Sequence, residues 1–246
     1  INSKTQEEVK TICKHIPNTI TCLNLVSGAV AVSYAFEGLF EMSFLFIVIG
    51  AVFDFFDGMS ARLLHVSSPI GKELDSLADD ITFGLAPASI VYNYLCNASM
   101  PHWLLPVSSL LPYIAFVIAA FSALRLAKFN LDERQTTSFI GLPTPANALF
   151  WASLIVGGGE SLEHSGVGVY IVLALVLLTS WLLVSELPMF ALKFKSWGWR
   201  GNEIKYIFVI TCIPMLAFLG YLGFAVVMAW YVLLSVVVAS RGASHD

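Results

Sequence analysis

The stretch Asp54-Phe55-Phe56-Asp57-Gly58-Met59-Ser60-Ala61-Arg62, followed eight residues later by Gly71-Lys72-Glu73-Leu74-Asp75-Ser76-Leu77-Ala78-Asp79-Asp80, decides how this chain folds. The first run closes one apolar segment and the second opens another. On a helix Asp54 and Asp57 lie three apart and Asp75 and Asp79 four apart, so each pair shares a face. A short turn between the helices then brings the two faces together near a membrane boundary. An aspartate at the centre of a lipid-embedded helix costs about 2.5–3.5 kcal/mol on insertion scales, and less near the boundary. Four gathered together also repel one another, and Arg62 and Lys72 supply only two neighbouring cations. An all-carboxylate site without His or Cys suits Mg²⁺, Mn²⁺ or Ca²⁺ and argues against zinc. Four carboxylates can hold two such ions. An EF-hand is excluded, because its alternating acidic ligands and closing Glu are absent.

The flanking sequence is that of a membrane protein. Of 246 residues, 57% are hydrophobic and 12% charged, and the mean hydropathy is +0.79. A soluble domain carries about twice that charge, so part of the solvent is lipid. Apolar runs near the ~20 residues of a spanning helix are read at 19–36, 39–61, 74–96, 104–127, 143–159, 166–187, 204–221 and 222–240. The fold class expected is all-α, a polytopic bundle of about eight transmembrane helices. Six or seven spans stay open, because the last two runs are separated only around Gly220–Gly223. With eight spans all 13 Lys and Arg fall on one side, while the opposite loops carry Glu37, Glu41, Glu160, Glu163, His102 and His164. That side is cytoplasmic by the positive-inside rule, with both termini inside.

Val9, Ile12, Cys13 and Ile16 recur at helical spacing among Lys and Glu, the pattern of an interfacial amphipathic helix, although the periodicity also suits a solvated lead-in. The expected organisation is therefore an interfacial segment 1–16, a membrane domain 17–240 and a cytoplasmic tail 241–246. The polar lead-in does not have the layout of a cleavable signal peptide. The chain opens on Ile1 without a methionine, which leaves its natural N-terminus open. The four cysteines, Cys13, Cys22, Cys96 and Cys212, form no CxxC pair and are read as small hydrophobes rather than a disulfide framework.

The small residues Gly58, Ala61 and Gly71 stand in register with the aspartates and leave a groove where a flat base and a diphosphate could approach the backbone. Taken singly they also suit tight helix packing. The full spacing, Asp54-x2-Asp57-Gly58-x2-Ala61-Arg62-x8-Gly71-x3-Asp75-x3-Asp79, resembles the signature of the CDP-alcohol phosphotransferases, with all eight fixed positions present. The resemblance implies a six-helix catalytic core with extra C-terminal helices. It implies divalent metal, Mg²⁺ or Mn²⁺ and conceivably Ca²⁺, as two ions on Asp54, Asp57, Asp75 and Asp79. Asp79 would be a ligand or, in preference, the general base. Asn18, Thr21, Asp57, Gly58, Ala61, Arg62, Gly71 and Asp75 would frame the nucleotide and its diphosphate, although Asn18 and Thr21 read equally well as helix-start residues. Asp80 lies outside the signature and receives no role.

Three further stretches, Ile16-Pro17-Asn18-Thr19-Ile20-Thr21, Ala123-Leu124-Arg125-Leu126-Ala127-Lys128-Phe129-Asn130 and Phe139-Ile140-Gly141-Leu142-Pro143-Thr144-Pro145-Ala146, resemble the phosphatidylserine synthases among them, over residues 16–150. The partners implied are CDP-diacylglycerol, L-serine, the product CMP and membrane lipid, in a prokaryotic inner or plasma membrane. No nucleic acid is indicated, and a homodimer is compatible with the family. A serine carboxylate is best held by a guanidinium, which Arg125 offers at the cytoplasmic end of its span. Glu73 could meet the ammonium, with neutral hydrogen bonds from Asn130 and Thr144. Arg125 also reads as a snorkelling anchor. A sister enzyme using glycerol 3-phosphate or an inositol phosphate remains the nearest alternative. A cation transporter is disfavoured, since its acids belong at mid-span on broken helices.

Overall fold

The computed structural model describes residues 3–66, 68–132, 139–189, 198 and 202–242. Arg134, Lys193, Lys195, Arg200 and the tail beyond 242 lie outside these residues. Helix α1 (Ser3–Phe36) runs without a break through Pro17 and across the expected 16/17 boundary. The side chains of its amphipathic stretch lie outside the described residues, apart from the exposed Ile16.

Helix α2 (Phe40–Leu63) folds back on α1, because α1 stops in a Schellman turn. Leu39 N–H donates to Tyr34 O at 2.9 Å and Gly38 N–H to Ala35 O at 3.2 Å. Gly38 sits at φ +75°, where a side chain would strain the backbone. The same motif ends α2: Val66 N–H donates to Ala61 O at 3.1 Å and His65 N–H to Arg62 O at 3.3 Å. Here a histidine, His65, takes the left-handed position at φ +51°. Ser68 then starts α3 (Pro69–Asp79), its Oγ accepting from Gly71 N–H at 3.0 Å. Pro69 occupies the first turn, where its missing N–H is no loss. This stop and start lays α3 beside the end of α2. It also begins the helix at 69, ahead of the expected 74, because the Ser-Pro cap precedes the apolar run.

Below Asp79 the chain passes into a π turn (Asp80–Leu85) before α4 (Ala86–Asn97). The expected helix over 104–127 is broken. Two 3-10 segments, His102–Val107 and Leu111–Phe116, precede α5 (Val117–Leu131). Pro106 and Pro112 fall in them and each removes a backbone donor. Strand β1 (Phe139–Ile140) pairs antiparallel with β2 (Pro188–Met189), Phe139 opposite Met189. That pairing ties the segment after α5 to the one after α7. Helices α6 (Thr144–His164), α7 (Gly168–Val184), α8 (Glu203–Leu219) and α9 (Tyr221–Gly242) complete the described chain.

Four segments are long and apolar enough to cross a bilayer: His15–Phe36, Phe40–Leu63, Leu111–Leu131 and Tyr221–Ser240. Helix α7 is apolar but has 17 residues, about 26 Å at 1.5 Å per residue, short of a ~30 Å hydrocarbon core. Length and composition among the described residues thus support a polytopic helical membrane bundle, with four candidate spans beside shorter apolar helices.

The interior is packed around Ile47, Phe83, Ile90, Ile118, Trp151 and Val176, all fully excluded from solvent. Between helices in lipid there is little hydrophobic drive, so close contact and hydrogen bonds carry the association, at about 0.6 kcal/mol per bond on average. Ser27 Oγ donates to Phe46 O at 2.7 Å, Ser43 Oγ to Ala31 O at 2.8 Å and Trp151 Nε1 to Thr179 Oγ1 at 3.0 Å. The π turn sits in the groove between α1 and α2 through Thr82, whose Oγ1 donates to Asn24 O at 3.1 Å. Gly28 and Gly50 make room for it. A Cβ on Gly28 would stand 2.8 Å from Thr82 Cα, and one on Gly50 2.5 Å from Thr82 Cγ2. The residue that this lock positions is Asp79, one step before the turn.

Candidate active site

The two Asp pairs converge. Asp54, Asp57 and Asp75 each place a carboxylate oxygen within 4.8 Å of the others. Asp79 lies within electrostatic reach of all three. Two neighbours from α1 aim the carboxylates. Thr21 Oγ1 donates to Asp57 Oδ2 at 2.7 Å, with both residues buried, and Asn24 Nδ2 donates to Asp79 Oδ1 at 3.2 Å. The donor set fits a divalent ion, because it is all oxygen and all carboxylate, the ligand chemistry of Mg²⁺ or Mn²⁺.

Beside the carboxylates lies a cavity of about 260 Å³. Asn18, Thr21, Asp57, Gly58, Ala61, Gly71 and Asp75 line it, with Pro17, Val66, Ser68 and Lys72. Seven of the eight residues expected around the nucleotide are therefore brought to one wall. The eighth, Arg62, is exposed and is not among the lining side chains. No atom comes within 4 Å of where a Gly58 Cβ would sit, the geometry of a groove rather than of a packed helix contact. At Gly71 a Cβ would meet Asn18 Oδ1 at 2.9 Å and Ser68 Oγ at 3.0 Å.

The residues expected around an acceptor are only partly gathered. Arg125 is buried, its NH1 donating to Thr144 Oγ1 at 3.4 Å and its guanidinium stacked over Phe129 at 5.6 Å. A buried, stacked guanidinium within electrostatic reach of Asp79 is not a snorkelling anchor. Asn130 lies elsewhere: its Nδ2 donates to Ser76 Oγ at 2.8 Å and its O accepts from Lys72 Nζ at 2.9 Å, which clips α5 to α3. Glu73 is exposed on α3. A second cavity, of about 350 Å³, opens on Arg125 between the ends of α5 and α7, with Lys128, Asp132, Ser185 and Glu186 in its wall.

A sequence profile of the CDP-alcohol phosphatidyltransferases matches residues 14–191, nearly three-quarters of the chain. The chain belongs to the CDP-alcohol phosphatidyltransferase family. Among similar members, a Bacillus subtilis protein is 38% identical over 131 residues, covering 53% of this chain and 70% of its own length. A Helicobacter pylori protein is 32% identical over 195 residues, 78% of this chain and 79% of its own. One from Mycobacterium bovis is 30% identical over 181 residues, 71% of this chain but only 60% of its own length. All three are named CDP-diacylglycerol–serine O-phosphatidyltransferase. The eight signature positions of this CDP-alcohol phosphatidyltransferase fall inside the matched segment, whereas α8 and α9 lie beyond it.

Sequence reasoning missed Asn24. It sits three residues after Thr21, on the same face of α1, fully buried in an otherwise apolar run. An amide in that position is the one available signal, because its partner Asp79 is 55 residues away in sequence.

Proposed function

We propose that this chain transfers the phosphatidyl group of CDP-diacylglycerol to the hydroxyl of L-serine, giving phosphatidylserine and CMP. The observation that carries this reading is the convergence of Asn18, Thr21, Gly58, Ala61 and Gly71 with the carboxylates on one cavity, with Asp79 between that wall and Arg125. The names of the relatives favour serine as the acceptor.

The cytidine diphosphate occupies the cavity, where Gly58 and Ala61 leave room for the base and Gly71 for the phosphates. The acyl chains stay in lipid. Asp54, Asp57 and Asp75, with Asp79 at their edge, would hold Mg²⁺ or Mn²⁺, two ions on our reading. Such ions, when bound, offset charge at the diphosphate and at the departing phosphate of CMP. Thr21 fixes the orientation of Asp57, and Asn24 that of Asp79. The serine hydroxyl oxygen forms a bond to the lipid-side phosphorus while the bond from that phosphorus to the bridging oxygen breaks. CMP leaves with the bridging oxygen, and the hydroxyl proton passes to Asp79. Reach and orientation matter more for that base than an ideal pKa. Arg125 and Thr144 receive the acceptor, and most of the acceleration comes from positioning and fixed charge.

The remaining apolar helices are read as spans too. That gives eight crossings, a membrane domain over 17–240 between an interfacial segment 1–16 and the tail 241–246, and a site facing the cytoplasm of a prokaryotic cell. In detergent with Mg²⁺ or Mn²⁺ and CDP-diacylglycerol, CMP release with serine, and not with glycerol 3-phosphate or inositol phosphate, is the expected result. CMP release with either of the latter alone would assign the chain to a sister activity. Asp79→Asn should abolish turnover while donor binding persists; retained turnover would remove it as the base. A single displacement inverts configuration at a chiral phosphorus, and retention would point to a covalent intermediate.

A further inference from the structure

Behind the carboxylates, the π turn and helices α5 and α6 carry buried polar side chains that the metal and nucleotide roles do not use. Asn147 is fully buried, and neither Oδ1 nor Nδ2 has a hydrogen-bond partner. Ser122 Oγ, Arg125 Nε and Asp80 Oδ1 are likewise buried without partners. Buried polar side chains are almost always paired, and an amide alone offers two donors and two acceptor sites. Four such side chains in one place call for a polar occupant.

Their placement is mutual. Asp80 Oδ1 and Ser122 Cβ both crowd the same spot, 2.6 Å and 3.0 Å from where a Gly84 Cβ would lie. Ser122 and Arg125 share a face of α5, one turn apart, as do Thr144 and Asn147 on α6. The Arg125–Thr144 hydrogen bond joins the two faces. Arg125 also lines the second cavity, which gives an approach from the ends of α5 and α7.

We propose that Asn147, Ser122 and Asp80 complete, with Arg125, a binding site for the two charged ends of a free amino acid. The unpaired donors, Arg125 Nε and Asn147 Nδ2, match a carboxylate. The unpaired acceptors, Asp80 Oδ1 and Asn147 Oδ1, match an α-ammonium, with the Ser122 hydroxyl able to serve either end. A phosphate-bearing acceptor would leave those acceptors facing an anion. This inference rests on the proposed serine transfer and names the residues that select its acceptor.

The test compares wild type with Asn147→Leu, Asn147→Ala, Ser122→Ala and Asp80→Asn in detergent with CDP-diacylglycerol and Mn²⁺. CMP release is followed against serine and against the donor, and with two truncated acceptors: 3-hydroxypropionate, which lacks the ammonium, and ethanolamine, which lacks the carboxylate. Loss of one or two hydrogen bonds to charged groups should raise the serine KM of Asn147→Leu about 10- to 100-fold, with the donor KM within twofold. Asp80→Asn should shrink the preference for serine over 3-hydroxypropionate at least tenfold. Folding is verified by gel filtration and CDP binding. If Asn147→Leu yields no folded protein, Asn147→Ala and Ser122→Ala carry the comparison. Folded variants whose serine KM stays within twofold would overturn the site and leave the orphan atoms to water. Equal rises in both KM values would overturn it as well. A wild type that releases CMP with glycerol 3-phosphate but not serine would instead remove the function beneath it.

Discussion

Replacing Thr21 by Val keeps the β-branched shape of a fully packed side chain and removes one hydroxyl. That hydroxyl has a single proton and two acceptors within reach, Asp57 Oδ2 at 2.7 Å and Pro17 O at 3.0 Å. The shorter, charge-assisted bond takes it. With Thr21 3% and Asp57 6% exposed, water does not replace the lost donor. A hydrogen bond to a charged group contributes about 1.5–3 kcal/mol, which converts to roughly a 10- to 150-fold change in an equilibrium constant. Loss of a side chain that orients a metal ligand costs 10- to 100-fold in metal affinity by independent measure. The two ranges agree. Titrating Mn²⁺ into the Thr21→Val variant and following CMP release should therefore move the half-saturating concentration up at least tenfold, with the plateau rate recovered to within a few-fold. An unchanged Mn²⁺ dependence would refute the claim that Thr21 aims a metal ligand. So would a collapsed rate that no added metal restores.

Gly71→Val should raise the donor KM and leave the serine KM alone, because its Cβ meets Asn18 Oδ1 at 2.9 Å on the nucleotide wall; steady-state kinetics against each substrate separates the two. Gly28→Ala drives a methyl against the Thr82 backbone, with Cα at 2.8 Å. It should cost about 1–3 kcal/mol of overpacking, seen as a lower unfolding midpoint in detergent together with reduced turnover, since the same contact sets Asp79. His65→Gly should raise that midpoint by relieving a left-handed side chain at φ +51°, a gain of about 1 kcal/mol, without altering either KM.

What could be read in the sequence was whatever local spacing controls. The three- and four-residue separations of the aspartates, on two helices joined by a short turn, were enough to foresee the convergence of Asp54, Asp57, Asp75 and Asp79, whereas the Ser68-Pro69 start of α3 was not read. Of the seven cavity residues, Gly58, Ala61 and Gly71 stand in register with Asp57 and Asp75, whereas Asn18 and Thr21 came from the family resemblance alone. Residues whose role depends on a distant partner were not legible. Asn24 matters through Asp79, and the unpaired amide of Asn147 is set by helix packing that the sequence does not display. Glu73 and Asn130 were named from stretches that carry the resemblance; Glu73 is exposed and Asn130 fastens α5 to α3. Hydropathy located the apolar runs but not their helix boundaries, because Pro106 and Pro112 break the start of one run into 3-10 turns and α7 is short. Nothing in the composition of Asp80–Leu85 announced a π turn.

That turn has a consequence for how this chain tolerates change in length. A π segment holds one more residue than the α-helix it interrupts, so residues 80–85 behave as an insertion sealed into the rod. Deleting one of them would let the ladder close into ordinary α geometry and keep the helix on either side in nearly its present register, because the wider turn already absorbs the extra residue. Asp79 would stay beside Asp54 and Asn24, and the change would fall on Thr82 and its seat between Gly28 and Gly50. A one-residue deletion there should thus leave a protein that inserts and keeps its acids together, whereas the same deletion in α4, which has no such slack, would rotate everything beyond it by about 100°.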